Sequence, residues 1–182
     1  MNQRLHLTIK EITEETDDTK TIHFWHPIHN TISYISGQFF TLIPEIGGQK
    51  IRRSYSLSSS PKTDTSPAIT VKRIEGGLVS NYLCDHVKVG DSLEVIEPMG
   101  NFWIEPQADS AKTYVFIAAG SGITPLFSMI KTVLHSEPKS RIYLIYGSRN
   151  EQQIIFKKAL ESLETRHASR FNMVHVISQP SH

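Results

Sequence analysis

One stretch constrains the fold more than any other. The nearly continuous apolar run Thr113-Tyr114-Val115-Phe116-Ile117-Ala118-Ala119 passes directly into Gly120-Ser121-Gly122-Ile123-Thr124-Pro125. A short apolar run of this kind suits a buried strand of a parallel sheet. Thr124 is placed to cap a following helix, and Pro125 suits a first helical position. Phe127, Ile130, Val133 and Leu134 then recur at helical spacing and mark one apolar face. The unit repeats: Arg141 to Tyr146 reads as a strand, and a helix is expected from Asn150, with Asn150 and Gln153 at capping spacing and Leu160 and Leu163 inward. Phe171 to Ile177 reads as a third strand. This βαβαβ order implies a doubly wound nucleotide-binding unit. Its glycine turn lies between strand and helix, where Gly120 permits a tight turn and Gly122 permits a pyrophosphate to approach the backbone. Pro125 stands where the Gly-x-Gly-x-x-Gly fingerprint has its third glycine.

Upstream the period is different. Leu5, Leu7 and Ile9 alternate with polar residues, as do Ile22 and Phe24. Further short strands are expected at Phe39 to Ile43, around Arg52, at Ala68 to Ile74 and at Ser92 to Glu97, with a turn at Gly47-Gly48 and a polar loop at Lys62 to Pro67. Six short strands with Gly and Pro punctuation suggest a small antiparallel barrel. The expected organisation is therefore β followed by α/β: a barrel over residues 1–108, a linker near Glu105 to Lys112, and a partial doubly wound parallel-sheet domain over 109–182.

Composition excludes several classes. The net charge of +1 gives no footprint for nucleic acid or an acidic membrane surface. No apolar run approaches the roughly 20 residues of a membrane span, and Met1-Asn2-Gln3-Arg4 leads straight into the first alternating run, without the pattern of a signal peptide. Cys84 is the only cysteine, so an internal disulfide and a four-cysteine zinc or iron–sulfur site are ruled out, and a reducing cytoplasm fits. His23, His26 and His29 recur every third residue, but on a strand the first two face opposite ways and Pro27 breaks a helix, so they read as surface histidines and no metal site is expected. Cys84 reads as a packed small residue on a short helix.

Two stretches of the barrel half carry candidate chemistry. Arg52-Arg53-Ser54-Tyr55-Ser56-Leu57-Ser58-Ser59-Ser60-Pro61 puts Arg53, Tyr55 and Leu57 on one face of a strand and Arg52, Ser54 and Ser56 on the other. Arg beside Tyr suits a phosphate joined to a flat ring, because guanidinium forks onto phosphate oxygens and the phenol offers a flat apolar surface. An ordinary polar edge strand has the same composition. Gly76-Gly77-Leu78-Val79-Ser80-Asn81-Tyr82-Leu83 sets two glycines before a short amphipathic helix with Leu78, Tyr82 and Leu83 expected inward. Backbone N–H groups at such a start make an anion site, and Ser80 adds a hydroxyl. A plain glycine turn with an N-cap would read the same way.

Arg53-x-Tyr55-Ser56 with its serine-rich continuation resembles the flavin-binding signature of the ferredoxin–NADP reductase family. Arg-Arg-Ser-Tyr-Ser is similar to the branch of phenylacetyl-CoA epoxygenase reductase-like and phenol hydroxylase reductase-like flavoproteins. Gly76 to Ser80 resembles that family's pyrophosphate turn, Val71-Lys72-Arg73 its strand along the flavin ring, Pro98-Met99-Gly100-Asn101-Phe102 its turn at the end of the barrel, and Gly120-x-Gly122-x-Thr124-Pro125 its pyridine-nucleotide turn.

The resemblance implies FAD held by Arg53, Ser54, Tyr55, Ser56, Val71, Lys72, Gly76, Gly77, Leu78, Val79 and Ser80, with Ser56 near the reactive nitrogen as the catalytic candidate. It implies a nicotinamide nucleotide at Gly120, Gly122, Thr124 and Pro125. No carboxylate ends the second strand of the α/β half, which reads Tyr146-Gly147-Ser148-Arg149, so Ser148 and Arg149 favour the 2′-phosphate of NADPH, with NADH as the other candidate. Electrons would then pass to a protein acceptor: ferredoxin, flavodoxin or an oxygenase component. Family members continue beyond a third strand, so the second domain is expected to be truncated, its glycine-turn strand at an open edge that a homodimer contact would cover. A binding module without turnover is the alternative expectation.

Overall fold

The structure, a computed structural model, describes residues 3–28 and 32–180. His29 and the terminal Ser181 and His182, on which some expectations fell, lie outside the described residues. The barrel half contains β1 (Arg4–Thr16), β2 (Thr19–Trp25), β3 (Phe39–Leu42), the two-residue hairpin strands β4 (Glu45–Ile46) and β5 (Gln49–Lys50), β6 (Arg53–Ser56), β7 (Ala68–Lys72), helix α1 (Leu78–Asp85) and β8 (Ser92–Met99). Six of these strands form one antiparallel sheet in the order β6-β3-β8-β1-β2-β7. Its two edges nearly meet, because the chain beyond β6 bridges Leu57 to Ile69 of β7 and the Ser58 N–H donates to the Ala68 carbonyl at 2.8 Å. Alternation put Leu7, Ile9, Ile22, Phe24, Phe40, Leu42 and Val95 on one side, and these fill the barrel core.

The second half contains β9 (Thr113–Ala119), α2 (Ile123–Ser136), β10 (Arg141–Ser148), α3 (Lys157–Arg166) and β11 (Phe171–Ile177). The strands are parallel in the order β11-β10-β9, which leaves β9 at an edge. Phe127, Ile130, Val133 and Leu134 of α2 and Leu160 and Leu163 of α3 pack with Phe116, Leu144 and Tyr146 in a separate core.

Two expectations are corrected here. The β9 strand is buried on one face only: Phe116 and Ala118 point to the helices, whereas Val115 and Ile117 are exposed. Apolar content alone does not report which faces are covered. The second correction concerns α3, which begins at Lys157 and not at Asn150. The Asn150 side chain does accept the Gln153 N–H at 3.0 Å, but it closes a single 3₁₀ turn over Glu151–Gln153. Ile154, Ile155 and Phe156 then wedge into the core, and Phe156, in the left-handed region at φ 61°, resets the direction of the chain.

The C-terminal end of α2 shows how its orphan carbonyls are met. The Arg170 guanidinium donates to the carbonyls of Leu134, Glu137 and Ser140. The Glu137 side chain, fully buried, accepts from the Gln107 N–H at 2.9 Å, from the Tyr114 hydroxyl at 3.1 Å and from Ser140 Oγ at 2.6 Å. Burial pushes its pKa up, but the hydrogen bonds from Ser140, Gln107 and Tyr114 prevail and hold it below its ordinary value. Among the described residues no three His, Cys, Asp or Glu side chains converge as a metal site, and no helix is long and apolar enough to cross a membrane.

A lowered folded-state pKa gives stability that is present above the unfolded value and is lost as pH falls through the folded one. Glu137→Gln turns an amide donor toward three donors, and should cost about 1–3 kcal/mol at neutral pH. The gap between wild type and variant in denaturant unfolding should close below the ordinary carboxylate range. A gap that persists at acid pH would mean the charge is not what matters.

Candidate functional site at the junction of barrel and nucleotide sheet

A cavity of about 650 Å³ lies where the two halves meet. The barrel contributes Arg53 to Ser56 of β6, Thr70 and Lys72 of β7, and the turn from Ile74 to Ser80. The nucleotide half contributes Ser121, Gly122, Thr124 and Pro125. The two signature stretches thus share one pocket although they lie far apart in sequence.

Along β6 and the residue that follows it the side chains grade from solvent to core: Arg53 is exposed, Tyr55 half-buried and Leu57, just past the strand, fully buried. The Tyr55 ring packs against the barrel core, and burial pushes its pKa up to about 12, so the phenol stays protonated. Arg53 Nη1 donates to the Arg52 carbonyl at 2.8 Å, and no carboxylate stands within ion-pair distance of it among the described residues. Its charge is therefore available to an anion. Ser54 is held by a 2.9 Å hydrogen bond to Thr41 Oγ1 on the paired β3 strand. Ser56 lines the pocket, opposite Phe39 in register.

At the next turn the backbone leads. Gly76 has φ +66°, which side chains rarely adopt. Gly77 is required for space: a Cβ there would lie 2.5 Å from Ser80 Oγ and 3.0 Å from Ile74. Ser80 Oγ accepts from the Ile74 N–H at 3.2 Å and donates to the Gly77 carbonyl at 3.3 Å, so its hydroxyl pins the turn from behind and is not aimed at the pocket. Gly77 is an N-cap without a side-chain cap. The first intrahelical bond runs from the Asn81 N–H to the Gly77 carbonyl, so the N–H groups of Leu78, Val79 and Ser80 have no intrahelical partner. Leu78 is exposed at the pocket and not inward as expected, because the buried face is Val79, Ser80, Leu83 and Cys84.

Other expected positions divide. Val71 sits in the barrel core with its side chain away from the pocket, because alternation sends Thr70 and Lys72 the other way. Lys72 Nζ lies 3.4 Å from Asp18. Arg73 forks onto Asp85 at 2.7 and 2.6 Å and ties the strand end to α1.

In the second half, Gly120 to Gly122 form a 3₁₀ turn with Gly120 at φ +50°. Thr124 is not the cap. Gly122 holds that position, and Thr124 Oγ1 donates back to the Ser121 carbonyl at 3.0 Å from inside the helix. Pro125 is the third helical residue, where its missing N–H costs no intrahelical bond. Gly120 lies behind the pocket wall, and its carbonyl accepts the hydroxyl of the fully buried Tyr146 at 3.0 Å. That anchor carried no motif in the sequence. Thr70, Ile74 and Ser121 are pocket residues that motif reading also missed. Ser148 and Arg149 lie at the C-terminal end of β10, outside this cavity. Ser148 Oγ is buried without a hydrogen-bond partner among the described residues, near the Tyr146 phenol, and Arg149 is exposed.

The chemistry of this donor set is that of an anion-binding pocket with an aromatic wall: one uncommitted guanidinium, an ammonium, and two helix starts without side-chain caps. A pyrophosphate attached to a flat ring fits it.

Residues 6–104 match the oxidoreductase FAD-binding domain family, and residues 116–182 match the oxidoreductase NAD-binding domain family. One component of the 1,2-phenylacetyl-CoA epoxidase of Escherichia coli (strain K12) is 38% identical over 95% of this chain and 49% of its own length. The ferredoxin reductase component of the 3-ketosteroid-9-alpha-monooxygenase of Rhodococcus rhodochrous is 39% identical over 93% of this chain and 48% of its own. The chain thus spans about half the length of these curated relatives. A cytochrome P450 reductase of Amycolatopsis superposes with a TM-score of 0.85 at 25% identity, over 100% of this chain and 54% of that one. The ferredoxin–NADP⁺ reductase of Plasmodium falciparum, at 22% identity, shares the fold with a TM-score of 0.85 over 97% of this chain and 74% of that one.

The close approach at Gly77 makes a prediction. Gly77→Ala should destabilise the barrel half by about 1–3 kcal/mol through the clash with Ser80 Oγ, and Ser80→Ala by about 1 kcal/mol through the lost pin on Ile74. The double variant should be less destabilised than the sum, since the clashing oxygen is gone. Strict additivity in denaturant unfolding would rule out the contact.

Proposed function

The chain belongs to the ferredoxin–NADP reductase family of FAD- and NAD-binding oxidoreductases, and from that premise we propose that it passes electrons from NADPH through FAD to a protein acceptor. The observation that carries the reading is the shared pocket: Arg53, the Tyr55 ring and the uncapped start of α1 face the glycine turn of α2 across one cavity. When bound, a flavin would supply the redox chemistry between a two-electron donor and a one-electron acceptor.

The residues of the chain bind and orient. Arg53 forks onto the flavin phosphate and Tyr55 packs on the ring or the ribityl chain. Gly76, Gly77, Leu78, Val79 and Ser80 cradle the pyrophosphate through their backbone, which favours FAD over FMN. Ser54 and Val71 contribute backbone, since their side chains are committed to Thr41 and to the barrel core. Lys72 lies along the ring. Ser56 holds a proton position near the reactive nitrogen. Gly120, Gly122, Thr124 and Pro125 form the nicotinamide-nucleotide turn, with Gly120 shaping it from behind. Ser148 and Arg149 recognise the 2′-phosphate, and the exposed guanidinium of Arg149, with no carboxylate at the end of β10, supports NADPH over NADH.

The acceptor we favour is an oxygenase component, since the relatives named above are components of an epoxidase and a monooxygenase; a ferredoxin or flavodoxin is the next choice. The free, buried thiol of Cys84 suits a reducing cytoplasm. A second copy of the chain is a further partner to consider at the open β9 edge, and sedimentation of the purified protein decides its presence.

The protein should take up FAD and keep its flavin absorption after desalting; a colourless protein after reconstitution would sink the reading. Arg53→Ala should weaken FAD binding about ten- to hundredfold, from loss of a charge-assisted contact of about 1.5–3 kcal/mol, and Arg53→Lys should recover only part. Arg149→Ala should lower the preference for NADPH over NADH in titrations. An unchanged preference would remove Arg149 from the coenzyme site.

A further inference from the structure

The two halves meet along α2, and the seam is polar. The start of the helix lines the pocket. One turn further on, Ser128, Lys131 and Thr132 share a face by their i, i+3, i+4 spacing, and each grips the stretch that follows β6. Ser128 Oγ donates to the Ser59 carbonyl, Thr132 Oγ1 and Ser60 Oγ share a 2.7 Å hydrogen bond, and Lys131 Nζ forms an ion pair with Asp64. The Asp64 Oδ2 that takes Lys131 also accepts the Ser60 N–H at 2.6 Å, so one oxygen holds both loop and helix. The Lys131 ammonium lies 4.3 Å from the centroid of the Phe127 ring, and its side chain is only 14% exposed. Ser59 is tied to the barrel in turn, through the Tyr34 hydroxyl at 2.7 Å and the Ala68 N–H at 2.8 Å.

We propose that the Asp64–Lys131 ion pair sets the register of α2 against the barrel, and thereby the position of the glycine turn opposite Arg53 to Ser56; Lys131 is a positioning residue for hydride transfer. The proposal rests on the electron-transfer reading above. The physical case begins with the stretch from Leu57 to Ser60, which is entirely buried and continues directly from β6. A shift of α2 against it is therefore a shift of one pocket wall against the other. Serine and threonine hydroxyls rotate and re-pair when a helix slides. A largely buried ammonium has less freedom, because leaving its carboxylate strands a charge that is mostly shielded from water. Such a pair adds little net stability but selects one arrangement, and small misplacements of reacting groups are costly to rate.

The test uses the full chain in a Cys84→Ser background, with nitroxides on Lys10→Cys in β1 and Lys158→Cys in α3, both exposed. Pulsed electron spin resonance should give one narrow distance distribution, broadened by Lys131→Met and by Asp64→Asn, but not by Thr132→Val, which keeps the ion pair. FAD affinity should stay at the wild-type value in all of them. In stopped flow with saturating NADPH, each charge variant should reduce its flavin about ten- to a hundredfold more slowly, and the double variant should be no slower than either single one. Unchanged distance distributions in both charge variants would overturn the proposal, as would a lower melting temperature without broadening, or additive rate losses. A wild-type protein that binds FAD but is not reduced by NADPH would sink the electron-transfer reading, while the distance measurement would still decide whether the ion pair aligns the halves.

Discussion

Everything at the site depends on backbone donors left unpaired at the start of α1. Helix starts ordinarily satisfy such donors with a serine, threonine, aspartate or asparagine side chain. Here the cap is Gly77, and the one nearby hydroxyl, Ser80, is turned backward to hold Ile74. The start of α2 repeats the arrangement with Gly122 as cap and Thr124 bonded to Ser121. The two are not equal in strength. The Ile123 N–H is already used by the carbonyls of Gly120 and Ser121, and Pro125 has none to give. The exposed backbone of Ser121 and Gly122 is what α2 presents, whereas α1 presents a full turn of donors. At α1 glycine is demanded by the positive φ of Gly76 and by the close approach of Ser80 Oγ to Gly77, whereas a Cβ on Gly122 would meet nothing within 4 Å, so that at α2 glycine leaves the backbone open to the pocket.

This arrangement explains why the barrel closes where it does. The bridge from Leu57 to Ile69 brings the end of β6 against β7, so that Arg53, Tyr55 and Lys72 line one mouth. Closure also buries the four residues after β6, and their polar groups must then be met. Ser58 bonds to Thr70 Oγ1, Ser59 to Tyr34, and Ser60 to Thr132. The serine run is therefore a hydrogen-bonded strap between barrel and helix, with roles quite apart from ligand binding.

Much of this was legible in the sequence, and the failures share a cause. Alternation together with glycine, proline and polar punctuation located the six barrel strands, and apolar runs separated by a helical pattern located the three parallel ones, because these are local properties of the chain. The glycine turns were legible because special backbone geometry demands a special residue. What could not be read was direction: that Val71 faces the core, that Leu78 faces the pocket, that the hydroxyls of Ser80 and Thr124 serve the turns. On the strand a one-residue change of phase sends Val71 to the other face, and at the helix starts the partner of a hydroxyl is a choice of rotamer. The late start of α3 was hidden as well, since the 3₁₀ turn at Glu151 borrows the same capping chemistry as a helix. The seam residues Ser128, Lys131 and Thr132 look like a solvated helix face, and only the tertiary fold shows them buried or nearly so.

That seam bears more than alignment. The barrel closes on itself, but the parallel sheet carries both of its helices on one face. On the other face Val115 and Ile117 of β9, Tyr143 and Ile145 of β10, and Val174 and Val176 of β11 stand exposed in a contiguous apolar field. Scattered surface hydrophobics need no explanation, whereas a patch across three adjacent strands of a parallel sheet is unusual, since such sheets are ordinarily covered on both sides. The nucleotide half therefore draws its cohesion from one core, from the Glu137 and Arg170 contacts at the end of α2, and from the polar strap to the barrel. α2 takes part in all three. It seals the core with one side, grips the barrel with another, and offers its first turn to the pocket. A helix with those three duties has no solvated face left along its middle turns, which is why the hydroxyl and ammonium groups there are paired inside the protein.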